Sequence, residues 1–374
     1  MEKVVVCSDV IKRVYKNKRV LVTGHSGFKG SWLCLWLIEL GAEVAGFSKY
    51  LPSNPCHFEI SNLKDKLRHY EGDIRSIEEL KSVFDDFKPQ IVFHLAAQPI
   101  VLRSYAEPKL TFDTNLGGTI NTLECIKDTQ CVEAAVIITS DKCYENVGWD
   151  GGYKETDRLG GQDPYSASKA CAEIACSSYM RSFFSEKDSP KIATTRAGNV
   201  IGGGDWADNR LIPDCVTAWS KGEVAVIRNP EATRPWQHVL EASSGYLWLG
   251  ACLLNKPDGI AGEAFNFGPA SGVVKPVKDL VDLFLTFWGG GKWRHEPFLT
   301  EKREASLLKL SCDRALERLS WKPVLTFEET VALTAHWYKE YYSQRKNMYG
   351  YTVSQIAQYI EQADKQQMVW AVAK

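Results

Sequence analysis

Seven residues near the start of the chain constrain it more than any others. Gly24-His25-Ser26-Gly27-Phe28-Lys29-Gly30 follows the apolar, β-type run at residues 19–23 and opens a helical pattern over residues 28–40. Glycines at this spacing permit a tight turn and let the backbone approach a ligand closely. The helix behind them offers free N–H groups and the positive end of its dipole, which suits a pyrophosphate. A turn with only a structural purpose is the alternative. It loses weight because a βαβ chain follows.

Strand patterns at residues 43–47, 67–70, 91–95, 134–139 and 191–196 alternate with helical patterns at 76–87, 110–128 and 164–184. This rhythm predicts an α/β fold, a Rossmann-type doubly wound parallel sheet, with ligands beyond the carboxyl ends of the strands. After about Asn199 the rhythm weakens. Helices are expected within 214–221, 238–255, 276–288 and 314–344, with strands at 225–227 and 265–267. The reading is a dinucleotide-binding domain over about 1–198 that carries the chemical residues. A smaller mixed α/β substrate-binding region follows over about 199–350, with some chain crossing back to the sheet. The helical tail, 351–374, either packs on a neighbouring subunit or docks loosely. Residues 1–18 look strand-like and carry mixed charge.

Charge and cysteines narrow the class. A net charge of −1 gives no global field for nucleic acid or an acidic membrane, and no basic stripe appears. No apolar run approaches the length of a membrane span. The 11 cysteines include no CxxC pair and no Cys/His cluster at metal-binding spacing. Reduced thiols in the cytoplasm, and no metal, are expected.

The cofactor expectation extends beyond the loop, where Gly24, Ser26, Gly27, Phe28, Lys29 and Gly30 are the candidates. An acid at the end of the second strand usually binds the adenosine ribose, but Phe47-Ser48-Lys49-Tyr50 has none. Lys49 either receives a 2′-phosphate or lies in solvent, so these residues leave NAD against NADP open. Asp73, followed by Ile74, stands after the third strand, where it can accept from an adenine amino group. Ala96, Ala97 and Gln98 follow the fourth strand, and Thr114 and Asn115 lie a helix further on.

Redox chemistry is indicated by Ser140 after the fifth strand and by Tyr165 and Lys169, which share a helix face at i, i+4. A tyrosine with an ordinary pKa of about 10 is a poor base. A neighbouring ammonium and a nicotinamide charge both favour phenolate, and Ser140 can bond to the same hydroxyl.

On these motifs the chain resembles the extended short-chain dehydrogenase/reductases over residues 18–345. Thr139-Ser140-Asp141-Lys142 is similar to the segment used by nucleotide-sugar 4,6-dehydratases. Asp141-Lys142, the loop GHSGFKG and Gly202–Trp206 resemble the branch that acts on CDP-glucose. The resemblance implies NAD as cofactor, CDP-glucose as substrate, and internal redox with loss of water. Tyr165 would take the 4-hydroxyl proton, Lys142 or a water it orients the C5 proton, and Asp141 would protonate the departing 6-hydroxyl. Lys142 merely pairing with Asp141 is the plainer alternative. Arg234 and Asn199 resemble substrate-diphosphate contacts, and Arg210 and Arg303 are weaker candidates. His238 reads as structural, while Trp206 and Trp236 either stack on the base or belong to the core. A nucleotide-sugar 4-epimerase would share Ser140, Tyr165, Lys169 and Arg234 but would not need Asp141-Lys142. Related enzymes pair through the helices corresponding to 110–128 and 164–184, which implies a homodimer or homotetramer.

Overall fold

The computed structural model describes residues 9–149, 151–270, 273–297, 308–343 and 347–372. Its centre is one sheet built from β1 (Arg19–Thr23), β2 (Glu43–Ser48), β3 (Arg68–Glu71), β4 (Ile91–His94), β5 (Ala134–Ile138), β6 (Lys191–Arg196) and β7 (Ala264–Asn266). The strand order is β7-β6-β5-β4-β1-β2-β3 and every pairing is parallel. Chain direction across the sheet reverses between β1 and β4, where Thr23 lies beside His94. A crevice therefore opens beyond the carboxyl ends of these two strands.

Strands covered on both faces need apolar residues on both, and β1, β4 and β5 supply them. Val20 and Val22 of β1 face a layer containing Trp32, Trp36 and Leu247. Leu21 faces the opposite layer, with Leu80, Phe84, Leu123 and Cys176. The first layer holds the helices Phe28–Glu39 and Val239–Asn255; the second holds Ile77–Phe87, Gly118–Asp128 and Pro164–Phe183. Each large side chain so covered contributes roughly 1.5–3 kcal/mol relative to exposure.

Four parts differ from the sequence reading or refine it. Within residues 1–18, Asp9–Tyr15 is helical rather than strand-like. Ile11 and Tyr15 lie one turn apart and are both buried, and the Tyr15 hydroxyl donates to the Leu247 carbonyl at 2.7 Å. The β-branched residues there suggested a strand, but one buried face at i, i+4 selects a helix. The single helix expected over 110–128 is Pro108–Phe112, a π-helical turn at Asp113–Gly117, and Gly118–Asp128. The strand expected at 265–267 is β7, which crosses back to pair with β6.

The tail is neither loosely docked nor left with its apolar face for a neighbour. Helix Met348–Lys365 buries Thr352, Ile356, Tyr359 and Ala363, which share a face. The Trp36 ring, on the helix behind the glycine loop, lies 6.0 Å from Tyr359 and 6.3 Å from Trp370. The Tyr359 hydroxyl donates to Glu241 at 2.7 Å, and His57 Nε2 lies 3.2 Å from the Thr352 hydroxyl. Periodicity showed that the tail had an apolar face. What covers that face depends on aromatic partners far away in the sequence.

Candidate active site

The glycine loop is shaped by close approach. Gly24 has φ +73°, and a Cβ there would lie 2.7 Å from the Ala96 nitrogen. A Cβ at Gly30 would lie 2.2 Å from the Gly24 carbonyl oxygen. Gly27 precedes helix Phe28–Glu39 and no side chain caps that helix. Its first N–H groups are thus left for a ligand at the positive end of the dipole. Ser26 Oγ donates to the Tyr50 carbonyl at 2.9 Å and ties the loop to the end of β2. His25 is buried under Gly46, where a Cβ would strike the imidazole at 2.1 Å. Its Nδ1 lies 2.9 Å from Ser48 Oγ and its Nε2 2.7 Å from His69 Nδ1. Burial first, then His69, brings the His25 pKa down to about 3, so the ring is neutral. The cradle fits a dinucleotide: glycine backbone, an uncapped helix start, and no carboxylate among residues 24–30.

The other cofactor candidates ring this loop. Asp73 accepts from Lys49 at 2.8 Å and from Arg75 at 2.5 Å, and these cations hold its carboxyl well below the usual range. Lys49 is thus paired with Asp73 across the ends of β2 and β3. Ile74 is buried; its side chain would meet a Cβ at Gly118 and its carbonyl accepts from Asn121 at 3.0 Å. Ala96 N–H donates to the Thr23 hydroxyl at 3.3 Å, and Ala97 is half-buried beside it. Asn115 sits in the π-helical turn. Its Oδ1 accepts from the Gln98 N–H at 2.8 Å, and its Nδ2 donates to Ser168 Oγ at 2.9 Å and to the Gln98 carbonyl at 3.2 Å. Asn115 therefore braces the loop after β4 against the helix that carries Tyr165 and Lys169.

That helix, Pro164–Phe183, opens with proline and is capped by Asp163, which accepts from the Ser166 N–H at 2.9 Å. The cap fixes Tyr165 in the first turn and Lys169 in the next. Tyr165 is buried, and burial pushes its pKa up to about 12; Ser140 and the Arg210 charge pull the other way, and Asp141 pushes up. Burial thus outweighs the charge of Arg210 on this phenol. Lys169 is brought down to about 8, chiefly by burial and then by Lys29, and its Nζ lies 3.4 Å from the Ile138 carbonyl. Lys29 is also brought down to about 8, by burial and by Arg210, while Asp141 opposes this.

Ser140 follows β5 in extended conformation, donates to Asp141 Oδ1 at 2.9 Å, and accepts from the Lys142 N–H at 3.2 Å. The Asp141 carboxylate rests on Gly198, where a Cβ would lie 1.9 Å from Oδ2. Lys142 is half-buried. Among the described residues no ion pair within 4.0 Å joins it to Asp141.

Beside Asp141 lies a cavity lined by Asp141, Gly198, Asn199, Gln237, Val273 and Lys309, among others. Asn199 has φ +52° and its carbonyl accepts from the Gln237 N–H at 3.2 Å. Arg210 is held by Asp205 at 2.6 Å. Arg234 is half-buried and donates to the Thr233 carbonyl at 2.8 Å; Pro235, next to it, lines the cavity. Trp206 is core, packed on Trp337, Tyr338 and Tyr341, and Trp236 is buried with its N–H directed at the Lys275 carbonyl at 3.3 Å. His238 caps helix Val239–Asn255 through Nδ1, a structural role. Arg303 lies outside the described residues.

A family model described as GDP-mannose 4,6 dehydratase matches residues 21–253. The chain belongs to that family. It is 45% identical over 333 residues to the CDP-glucose 4,6-dehydratase of Salmonella typhimurium, covering 88% of this chain and 92% of that protein. It is 26% identical to the dTDP-glucose 4,6-dehydratase of Neisseria gonorrhoeae, covering 88% and 98%. Among solved structures, the dTDP-glucose 4,6-dehydratase DesIV of Streptomyces venezuelae, crystallised with NAD, superposes with a TM-score of 0.74 at 24% identity. That match covers 88% of this chain and 99% of DesIV.

Several residues that build this family member's site escaped the sequence reading. Gly198 makes room for Asp141. Gln237 donates to the Gly198 and Phe267 carbonyls at 2.9 and 3.0 Å and so joins two walls of the cavity. Gly268, Pro269 and Lys309 line it from outside the motifs that the sequence reading singled out. A glycine directly before Asn199, at a strand end, was the one local signal.

Proposed function

We propose that this protein removes water from CDP-D-glucose to give CDP-4-keto-6-deoxy-D-glucose, with NAD as resident cofactor. The observation that carries the reading is the acid–base set Ser140-Asp141-Lys142 at the mouth of a dinucleotide cradle. It occurs in a chain far more similar to a CDP-glucose 4,6-dehydratase than to a dTDP-glucose enzyme. The preference for NAD is supported by DesIV, a structure of the same fold that carries it. Gly24, Gly27, Gly30 and the start of helix Phe28–Glu39 would hold the pyrophosphate. When bound, the nicotinamide supplies a hydride acceptor and later returns the hydride.

Tyr165 receives the proton of the sugar 4-hydroxyl. With its pKa pushed up to about 12 by burial, the phenol needs positive charge to become a base; the Arg210 charge acts on it, and Lys169 stands one turn further along the same helix. Ser140 holds the same hydroxyl. Once C4 is a ketone, the C5 proton becomes acidic, and Lys142 or a water it orients removes it. Asp141, in its protonated form, gives its proton to the departing 6-hydroxyl, and C5 regains a proton from Lys142 or its water once the hydride is returned to C6. Arg234 and Asn199 bind the diphosphate, the former with the planar fork that suits phosphate oxygens. A 4-epimerase needs no acid–base pair after Ser140, and Asp141-Lys142 argues against that activity.

Assembly as a homodimer or homotetramer is supported by the outer face of helix Pro164–Phe183, where Ile174 and Phe183 are 58% and 51% exposed. The reading puts the enzyme in the cytoplasm, on a route to CDP-linked deoxy sugars of surface polysaccharide. Incubation with NAD and, separately, CDP-, dTDP-, UDP- and GDP-linked glucose tests it by mass spectrometry. Loss of water from CDP-glucose is expected. Turnover of another nucleotide sugar with CDP-glucose untouched would overturn the CDP assignment.

A further inference from the structure

A buried ion pair lies beneath the acid–base segment and touches neither the glycine cradle nor the substrate cavity. Glu173 stands one turn beyond Lys169 on the same helix, and its partner Arg196 ends β6. Both side chains are at most 4% exposed, and they meet at 2.9 Å. Glu173 also accepts from the Thr139 hydroxyl and, at 2.8 Å, from the Thr194 hydroxyl. Arg196 donates to the Tyr144 hydroxyl at 2.8 Å and to the Glu155 carbonyl at 3.1 Å, with its guanidinium 4.8 Å from the centre of the Tyr144 ring. The Tyr144 hydroxyl donates onward to Asn266 Oδ1 of β7 at 2.8 Å.

Thr139 and Tyr144 are the residues on either side of Ser140-Asp141-Lys142-Cys143. Glu173 thus holds the near end of that short segment, and Arg196 holds the far end. Desolvating two charges is costly, so such a pair is weak evidence for stability; its best-attested use is to fix register. Among the described residues, the backbone bonds of the segment are Cys143 N–H to the Ser140 carbonyl at 3.2 Å, Tyr144 N–H to the Asp141 carbonyl at 3.4 Å, and Gly160 N–H to the Cys143 carbonyl at 2.8 Å, and its flanks are joined to the fold by Thr139 N–H to the Thr195 carbonyl at 2.8 Å and a bridge between Tyr144 and Leu159. The backbone bonds place the two flanks, and the side chains of Thr139 and Tyr144 are fixed by the buried pair.

We propose that the Glu173–Arg196 pair is the positioning element of the reaction, clamping both ends of the segment that carries Ser140, Asp141 and Lys142. The consequence for chemistry rests on the dehydratase reading above; the clamp itself does not. Glu173→Gln keeps the shape of the side chain and removes its charge. Tyr144→Phe removes only the hydroxyl by which Arg196 reaches the far end, and leaves the ion pair in place.

Two measurements test this. In amide hydrogen exchange on the folded full-length protein, both variants should show faster exchange confined to 139–144, while β1, β4 and β5 stay protected. In turnover of CDP-glucose with NAD, Glu173→Gln should lower kcat by on the order of 100-fold, the effect of a misplacement of about 1 Å, with KM little changed. Reduced nicotinamide should then accumulate, because a displaced Asp141 and Lys142 delay elimination more than oxidation. Tyr144→Phe should show the same signature, weaker. If both variants fold and exchange over 139–144 is unchanged, the clamp is wrong whatever the substrate. If exchange rises but turnover proceeds at the wild-type rate without reduced nicotinamide, the catalytic role is wrong. A wild-type protein inert toward CDP-glucose would defeat the substrate reading and leave the exchange result to decide the clamp.

Discussion

The glycine cradle and the acid–base cleft are built in opposite ways. Residues 24–30 form a cradle almost by themselves, because a turn and a helix start are local structures, and the contacts that demand glycine come from the loop itself and from Ala96. The cleft draws Asp141, Asn199, Gln237, Gly268 and Lys309 from segments far apart in the chain, and its catalytic turn is gripped from below by Glu173 and Arg196. The cradle tolerates little change at a few positions. The cleft depends on many positions, each acting through another.

The largest expected effects lie in the cleft, and two variants there should fail differently. Tyr165→Phe should slow CDP-glucose turnover by on the order of 10³-fold and form no reduced nicotinamide, because the first proton has no acceptor. Lys142→Met should slow turnover by about 10²-fold but still give reduced nicotinamide, with no loss of water by mass spectrometry. Identical stalling of both would erase the division between a redox group and an elimination group. In the cradle, Gly24→Ala puts a Cβ where φ is +73° and the Ala96 backbone is in the way. A strain of about 1–3 kcal/mol corresponds to roughly 5- to 150-fold loss of NAD affinity by calorimetry, with the fold retained. Unchanged affinity would show that the loop has more room than its geometry indicates.

A smaller effect runs through both regions. His25 of the cradle and His57, His94 and His238 are each buried and brought down to about 3. In the unfolded chain such groups titrate at about 6.5. Between those values the unfolded state binds more protons, so this contribution is fully present above about pH 6.5 and is lost as pH falls toward 3. Thermal unfolding should show a lower midpoint at pH 5 than at pH 7. An unchanged midpoint would mean that these rings are protonated in the fold.

The same contrast explains what the sequence made legible. Strands β1 and β6 were read at their observed bounds, since a short apolar run between helical patterns has few other ways to be buried. The loop, Ser140, Tyr165 and Lys169 were legible because their spacings are local. Residues 9–15 misled, since Val10, Ile11 and Val14 favour strand by type while their buried face follows the helical period. The break at Asp113–Gly117 was hidden because helical periodicity continues through a π-helical turn. Glu173 and Arg196 were invisible for another reason: a charged residue on a helix reads as surface until its partner on a distant strand is known.

The tail also sets the order in which the molecule can be finished. Tyr349 donates to Glu39, 310 residues away in the chain, and Thr352 meets His57 across 295. The helix that starts at the glycine loop therefore leaves the ribosome some 310 residues before the segment that covers its far side. Until Tyr359 and Trp370 arrive, Trp36 lacks two of the rings that pack on it, so a nascent chain arrested before residue 348 should be recognised as unfinished although its nucleotide motif is already made.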